Sequence, residues 1–237
     1  MAQMTLLILP RALECCRRIE EVLDHQPEIR DLVTEENNPV LSDESVLEFK
    51  NVSFKYADAE EYTLFDLNFV CRRGQTTAVI GGTGSGKSTV ASLILRFHDV
   101  TEGSVLLNGF DIRDMTQHKL RENIAYVQQQ AWLFSGTIAE NLRFAKADAS
   151  DEELMHAADV AQAGDFIRSL PEGLNSRVAQ GGTNFSGGQK QRLSIARALV
   201  KNPELYIFDD SFSALDFKTD AALRKSLKPE TMDAAVL

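Results

Sequence analysis

Gly81-Gly82-Thr83-Gly84-Ser85-Gly86-Lys87-Ser88 has the spacing of a phosphate-binding loop, Gly-x4-Gly-Lys-Ser. Glycines at these positions let the backbone wrap an anion with its N–H groups turned inward, and a helix beginning at the loop adds partial positive charge. In that geometry the Lys87 amine reaches the terminal phosphates of a nucleotide, the Ser88 hydroxyl is a ligand for Mg²⁺, and Thr89 can touch the first phosphate. A second glycine element, Ser186-Gly187-Gly188-Gln189, lies far downstream and has the form of a capped, anion-tolerant helix start. Beyond it an apolar run, Leu205 to Phe208, ends in the carboxylate pair Asp209-Asp210.

The elements needed to hold these groups are visible in the flanking patterns. Thr76 to Ile80 is an apolar run suited to a buried strand. Val90, Leu93, Ile94 and Phe97 follow at helical spacing from a start near Gly86. Upstream, Leu47/Phe49, Val52/Phe54/Tyr56 and Phe65/Leu67/Phe69 alternate as in strands. Asn108-Gly109 between two short apolar runs predicts a hairpin turn. Residues 137–172 are helical in pattern, with a capping box at Ser150 and Glu153. A further helix is expected from Ser186 to Val200, stopped by Asn202-Pro203, then a buried strand over 205–208, a helix over 221–227 and the beginning of a strand at 234–237.

Composition narrows the partners. Net charge is −10, which argues against a nucleic-acid surface. Cys15, Cys16 and Cys71 lack metal-ligand spacing, and the adjacent pair is poorly placed to bridge to itself, so a reduced cytosolic setting is the default. Met1 to Leu9 has no basic flank or small-residue cleavage site, and is shorter than the ~20 residues of a membrane span. Residues 1–25 read as an amphipathic helix, either packed on the domain or forming the cytosolic end of a membrane helix. Residues 26–45, with Pro27, Pro39 and many acids, read as a linker.

The run Ser186-Gly187-Gly188-Gln189-Lys190-Gln191-Arg192 closely resembles the signature sequence of ABC ATPases. Leu205 to Asp209 resembles their Walker B strand, Ser213-Ala214-Leu215-Asp216 their D-loop, and Tyr126 to Gln130 their Q-loop. Alignment of Phe134-Ser135-Gly136-Thr137-Ile138 selects Gln129 as the Q-loop glutamine. Tyr56, otherwise a strand core residue, sits where the family places an aromatic that stacks on adenine. Val178 to Gly182 occupies the segment that meets transmembrane loops in exporters. The resemblance implies an α/β P-loop NTPase core with an antiparallel β-subdomain and an inserted α-helical subdomain over about 130–190, the whole spanning 46–237 and incomplete at its C-terminus. It implies ATP and Mg²⁺ as cofactors, with Ser88, Gln129 and Asp209 toward the metal and Lys87, Gln129 and Asp210 in catalysis. It also implies a second nucleotide-binding domain and transmembrane domains as partners, no nucleic acid, a place at the cytoplasmic face of the cell membrane, and residues 1–25 as the end of the last membrane helix. The rival readings are a soluble ABC ATPase acting on nucleic acid or ribosomes, and a regulatory module that binds ATP without turnover.

The sequence departs from the family in ways that matter. Asp210 stands where hydrolysing members carry glutamate, one methylene shorter. Phe185 replaces a leucine before the signature, and Gln180 a frequent glutamate. The family's switch histidine falls beyond Leu237. In the family two nucleotide domains pack head to tail, so each ATP lies between one P-loop and the other domain's signature. A shortened Walker B acid beside an intact signature therefore fits the weakly hydrolysing half of a heterodimer.

Overall fold

The computed structural model describes residues 2–24, 26–27, 29–31 and 45–237, in two units, one ending at Arg30 and one beginning at Asp31. The first unit is helix α1 (Ala2–Leu23), whose described side chains from Ile8 onward are exposed. Arg17 pairs with Glu14 at 2.9 Å and Glu21 at 2.8 Å, the one-turn spacing that gives an exposed helix modest support. No described helix is long and apolar enough to cross a membrane. The expected linker at 26–45 falls largely outside the described residues.

The second unit opens with β1 (Ser45–Phe54) and β2 (Leu64–Arg72), followed by α2 (Lys87–Ile94), β3 (Glu102–Leu107) and β4 (Phe110–Asp111). These four strands form one sheet in the order β2-β1-β3-β4, every neighbour antiparallel. Asn108 and Gly109 both take positive φ, 49° and 84°, so the turn they make is the two-residue hairpin expected of them. Next come α3 (Gln117–Glu122), β5 (Ile124–Val127), β6 (Gly136–Thr137), α4 (Ile138–Arg143), α5 (Asp151–Val160), α6 (Gly164–Ser169) and β7 (Arg177–Val178). The chain closes with α7 (Gly187–Lys201), β8 (Leu205–Phe208), α8 (Phe217–Glu230) and β9 (Ala235–Val236). β5, β8 and β9 form a parallel sheet in that order, and Thr76 bridges Val236 on its far side.

β8 divides the apolar interior. Leu205 and Ile207 face a core built by β1, β3 and α2, whereas Tyr206 and Phe208 face one built by α4, α5, α6 and α7. A strand whose alternate residues enter different cores must be apolar throughout, as 205–208 is. The acid pair at its end is thereby anchored where the two halves of the unit meet.

Local chemistry sets the helix ends. Ser150 and Glu153 make the reciprocal capping box expected of them, and Thr137 with Glu140 makes another. α7 stops at Asn202, which takes φ 49°, the left-handed conformation asparagine tolerates, with Pro203 behind it.

Three sequence expectations are corrected. Phe65 is 76% exposed, because Asp66 at φ 45° breaks the alternation and puts Leu64 in the core instead. Phe97 is exposed and outside α2: Arg96 at φ 51° ends the turn, and Phe97 lies under the Arg121 guanidinium, 5.1 Å from it. Thr76 to Ile80 is not a buried strand. Its first residues bond to Val236, and among the described residues no backbone hydrogen bond reaches 78–80; Ile80 is 92% exposed.

Candidate functional site

A cleft of about 620 Å³ gathers Tyr56, Thr63, Thr83 to Thr89, Gln129, Asp209 and Asp210. Elements far apart in sequence thus converge, with the glycine loop along one wall and the end of β8 along another.

The loop is shaped by glycine at two positions. Gly84 and Gly86 take φ of 81° and 87°, which an L side chain rarely adopts. At Gly86 an added Cβ would also lie 2.8 Å from Leu64 Cδ2 and 3.3 Å from the Thr63 carbonyl oxygen. Gly86 is the residue before α2 and gives it no side-chain cap, so the first N–H groups of that helix stay free to receive an acceptor. Lys87 Nζ lies within the loop, donating to the carbonyl oxygens of Gly81 at 2.8 Å and Gly82 at 2.7 Å.

Tyr56 lies past the end of β1 at the cleft, 40% exposed, and not in the strand core. Its hydroxyl shares a 3.2 Å hydrogen bond with Thr89 Oγ1, and its ring meets Phe54 and His98 edge-on, with centroids 4.9 and 5.3 Å away. The ring is therefore tied to the helix that follows the phosphate loop.

The acid pair is held from β5 and the loop after it. Asp209 N–H donates to the Val127 carbonyl at 3.0 Å, and Tyr126 O–H donates to Asp209 Oδ2 at 3.1 Å. Burial, reinforced by the Asp209 charge and by this bond, pushes the Tyr126 phenol up to about 12, so it remains a donor throughout the neutral range. Gln129 Nε2 donates to Asp210 Oδ2 at 3.2 Å. Asp210 itself takes φ 47°, and its carbonyl accepts from Ser213 Oγ at 2.9 Å.

Among the described residues no group of three or more His, Cys, Asp or Glu side chains could hold a metal unaided. The side-chain oxygens along this cleft include those of Ser88, Gln129, Asp209 and Asp210, with hydroxyls from Tyr56, Thr63, Thr83, Ser85 and Thr89 beside them. Such a set suits a hard cation that takes the rest of its shell from phosphate and water, which is the manner of Mg²⁺.

Ser186, Gly187, Gly188 and Gln189 do not line the cleft. They close on themselves at the start of α7: Gln189 N–H donates to Ser186 Oγ at 3.3 Å, and Ser186 N–H donates to Gln189 Oε1 at 2.9 Å. A Cβ at Gly187 would meet nothing within 4 Å, and one at Gly188 would lie 3.3 Å from the Ala214 carbonyl oxygen. Asp216 caps α8, accepting from Thr219 N–H at 3.0 Å. The Tyr126–Asp209 bond depends on the pairing of β5 with β8 and has no local signal, whereas the Thr137 cap is readable as Thr-x-x-Glu.

One cleft thus brings together the glycine loop, Gln129 and the acid pair, with the Ser186 helix start apart from it. Residues 64–213 match the family profile described as ABC transporter, and the chain belongs to that family. It is 44% identical over its whole length to an uncharacterized ABC transporter ATP-binding protein of Mycobacterium tuberculosis H37Rv, covering 41% of that protein. It is 42% identical over 96% of its length to the ATP-dependent lipid A-core flippase of Haemophilus influenzae (strain 86-028NP), covering 38% of it. The chain thus spans about two fifths of the curated relatives it matches. Among solved structures, a bacterial Atm1-family ABC exporter with ATP bound superposes with a TM-score of 0.88 at 35% identity, covering 98% of this chain and 41% of that one.

Proposed function

We propose that this chain is the ATP-binding domain of an ABC exporter and forms the slowly hydrolysing half of a heterodimer at the cytoplasmic face of the cell membrane. The observation that carries the reading is Asp210, a short carboxylate at the end of β8 whose Oδ2 is engaged by Gln129 inside the cleft. In this reading residues 1–25 are the end of the last membrane helix, 26–45 the linker, and 46–237 the ATP-binding domain.

ATP is held by the backbone of residues 81–86, by Thr89 and by Tyr56 against the adenine. Lys87 leaves the Gly81 and Gly82 carbonyls to neutralise charge at the terminal phosphates. Ser88, Gln129 and Asp209 hold Mg²⁺, which when bound offsets phosphate charge. Gln129 and Asp210 orient the attacking water, and Asp210 does so from too far back. A general base is worth ~10² to 10⁴ in rate, so a retracted one leaves a slow site. The signature, lying apart from this cleft, completes a faster site on the partner domain. Net charge of −10 supports a protein partner over nucleic acid.

The test is steady-state ATP turnover of the reconstituted transporter with Ser186→Arg and, separately, Asp210→Asn. Ser186→Arg is expected to remove most turnover, leaving a slow residual rate, and Asp210→Asn to leave most of it. The opposite pattern assigns hydrolysis to this chain's own loop and refutes the asymmetry.

A further inference from the structure

β5 and the loop after it grip both members of the acid pair, Tyr126 on Asp209 and Gln129 on Asp210. The pairing is fixed by register: β5 and β8 run parallel, Tyr126 beside Ile207 and Val127 beside Phe208, so Asp209 follows immediately past the paired stretch. Its backbone N–H is held by the Val127 carbonyl. The terminal torsion of an aspartate is broad and roughly two-fold, so nothing intrinsic decides which oxygen turns to the cleft. The phenol decides it, by taking Oδ2 at 3.1 Å.

Packing alone does not account for a tyrosine here. Tyr126 is half-buried and lines the groove formed with Gln128, Trp132 and Asp209. A phenylalanine would fill the same space without carrying a hydroxyl into it. A bond from a neutral donor to a carboxylate is among the stronger ones a side chain makes, and it offsets the cost of desolvating that hydroxyl.

We infer that Tyr126 is a positioning residue for Asp209: its hydroxyl holds one carboxylate oxygen so that the other is presented toward the cation that accompanies the nucleotide. The inference rests on the proposed role of Asp209 in ordering Mg²⁺. Tyr126 does not line the nucleotide cleft, and its effect passes through the aspartate.

The experiment titrates Mg²⁺ against a fluorescent ATP analogue bound to the intact transporter that carries this chain, with a parallel titration of the analogue in EDTA. Outer partners of metal ligands are worth 10- to 100-fold in metal affinity, so Tyr126→Phe is expected to raise the Mg²⁺ half-saturation about tenfold or more. Affinity for the analogue in EDTA is expected to stay unchanged, since the glycine loop and Tyr56 are untouched. In an Asp209→Asn background, Tyr126→Phe should add nothing, because the two act as one unit. If Asp209→Asn shifts the Mg²⁺ dependence and Tyr126→Phe does not, the positioning role is overturned and the reading of Asp209 survives. If Asp209→Asn itself shifts nothing, the reading of the site fails beneath it. Weaker analogue binding by Tyr126→Phe in EDTA also overturns the inference, since the substitution then acts on the cleft as a whole.

Discussion

Replacing Asp210 by glutamate returns one methylene to the carboxylate beside the Walker B aspartate. A C–C bond moves the acid forward by roughly 1.5 Å. Misplacing a reacting group by about 1 Å can cost ~10²-fold, so ~10² is the largest gain the added reach supplies. Against it stands the backbone. Asp210 takes φ 47°, a region that short aspartate tolerates and that costs most L residues about 1 to 2 kcal/mol. If about 1 kcal/mol of that strain is relieved by the backbone drawing the carboxylate back, the gain falls about fivefold, to ~20-fold. The strain should also lower Tm by about 2 to 4 °C for a domain of this size. The assay is phosphate release from proteoliposomes carrying Ser186→Arg, which silences the site completed by this chain's signature and leaves its own loop as the source of turnover. Asp210→Glu in that background is expected to raise the residual rate. A rate that stays level while Tm falls shows that glutamate was accommodated and the acid was not limiting, which refutes the assignment of slowness to Asp210.

Gly86→Ala should weaken nucleotide binding at least tenfold by fluorescence titration, since its Cβ would press on Leu64 and Thr63 at a φ of 87° and displace the start of α2; Gly82→Ala, with open space and an ordinary φ, is expected to keep the wild-type Tm, and equal damage by both would refute the backbone argument. Asp216 has its carboxyl held below the usual range by its hydrogen bonds to Thr219. A depressed folded value contributes stability above the unfolded value near 3.9 and loses it as pH falls through the lower folded one. Asp216→Asn keeps a cap acceptor without titrating, so its Tm difference from wild type should narrow as pH drops below about 4, and a difference constant from pH 7 to 3 would count against the cap.

The glycine loop, the signature, the hairpin at 108–109 and the capping boxes were legible because each is local: a few neighbouring residues carry both the pattern and its physical reason. Phe65 was misplaced because alternation assumes an unbroken pleat, and Asp66 in the left-handed region shifts the phase by a residue. Thr76 to Ile80 has the composition of a buried strand, but burial of a strand is a property of its neighbours, and among the described residues its backbone bonds only to Val236. In the sequence Tyr126 marks only the Q-loop strand. Its bond to Asp209 spans β5 and β8, which are joined through the whole helical segment between them, and no local spacing encodes such a pairing.

The two glycine elements differ in a way their sequences only partly disclose. Both begin helices, yet α2 starts on Gly86 with no side-chain cap, whereas α7 starts on Ser186 with a complete capping box. A helix start left uncapped in a cleft retains donors for a ligand that lies within the same chain's walls. The capping box engages the Ser186 and Gln189 N–H groups without a ligand, so an arriving phosphate meets Gly187 and Gly188 N–H and must compete for the others. The first arrangement suits a group that binds nucleotide on its own. The second suits one engaged only when another surface brings the nucleotide to it, with the closing of two domains supplying the free energy that local rearrangement costs. That difference in local satisfaction supports, independently of any resemblance, the proposal that residues 81–88 and 186–189 serve different sites.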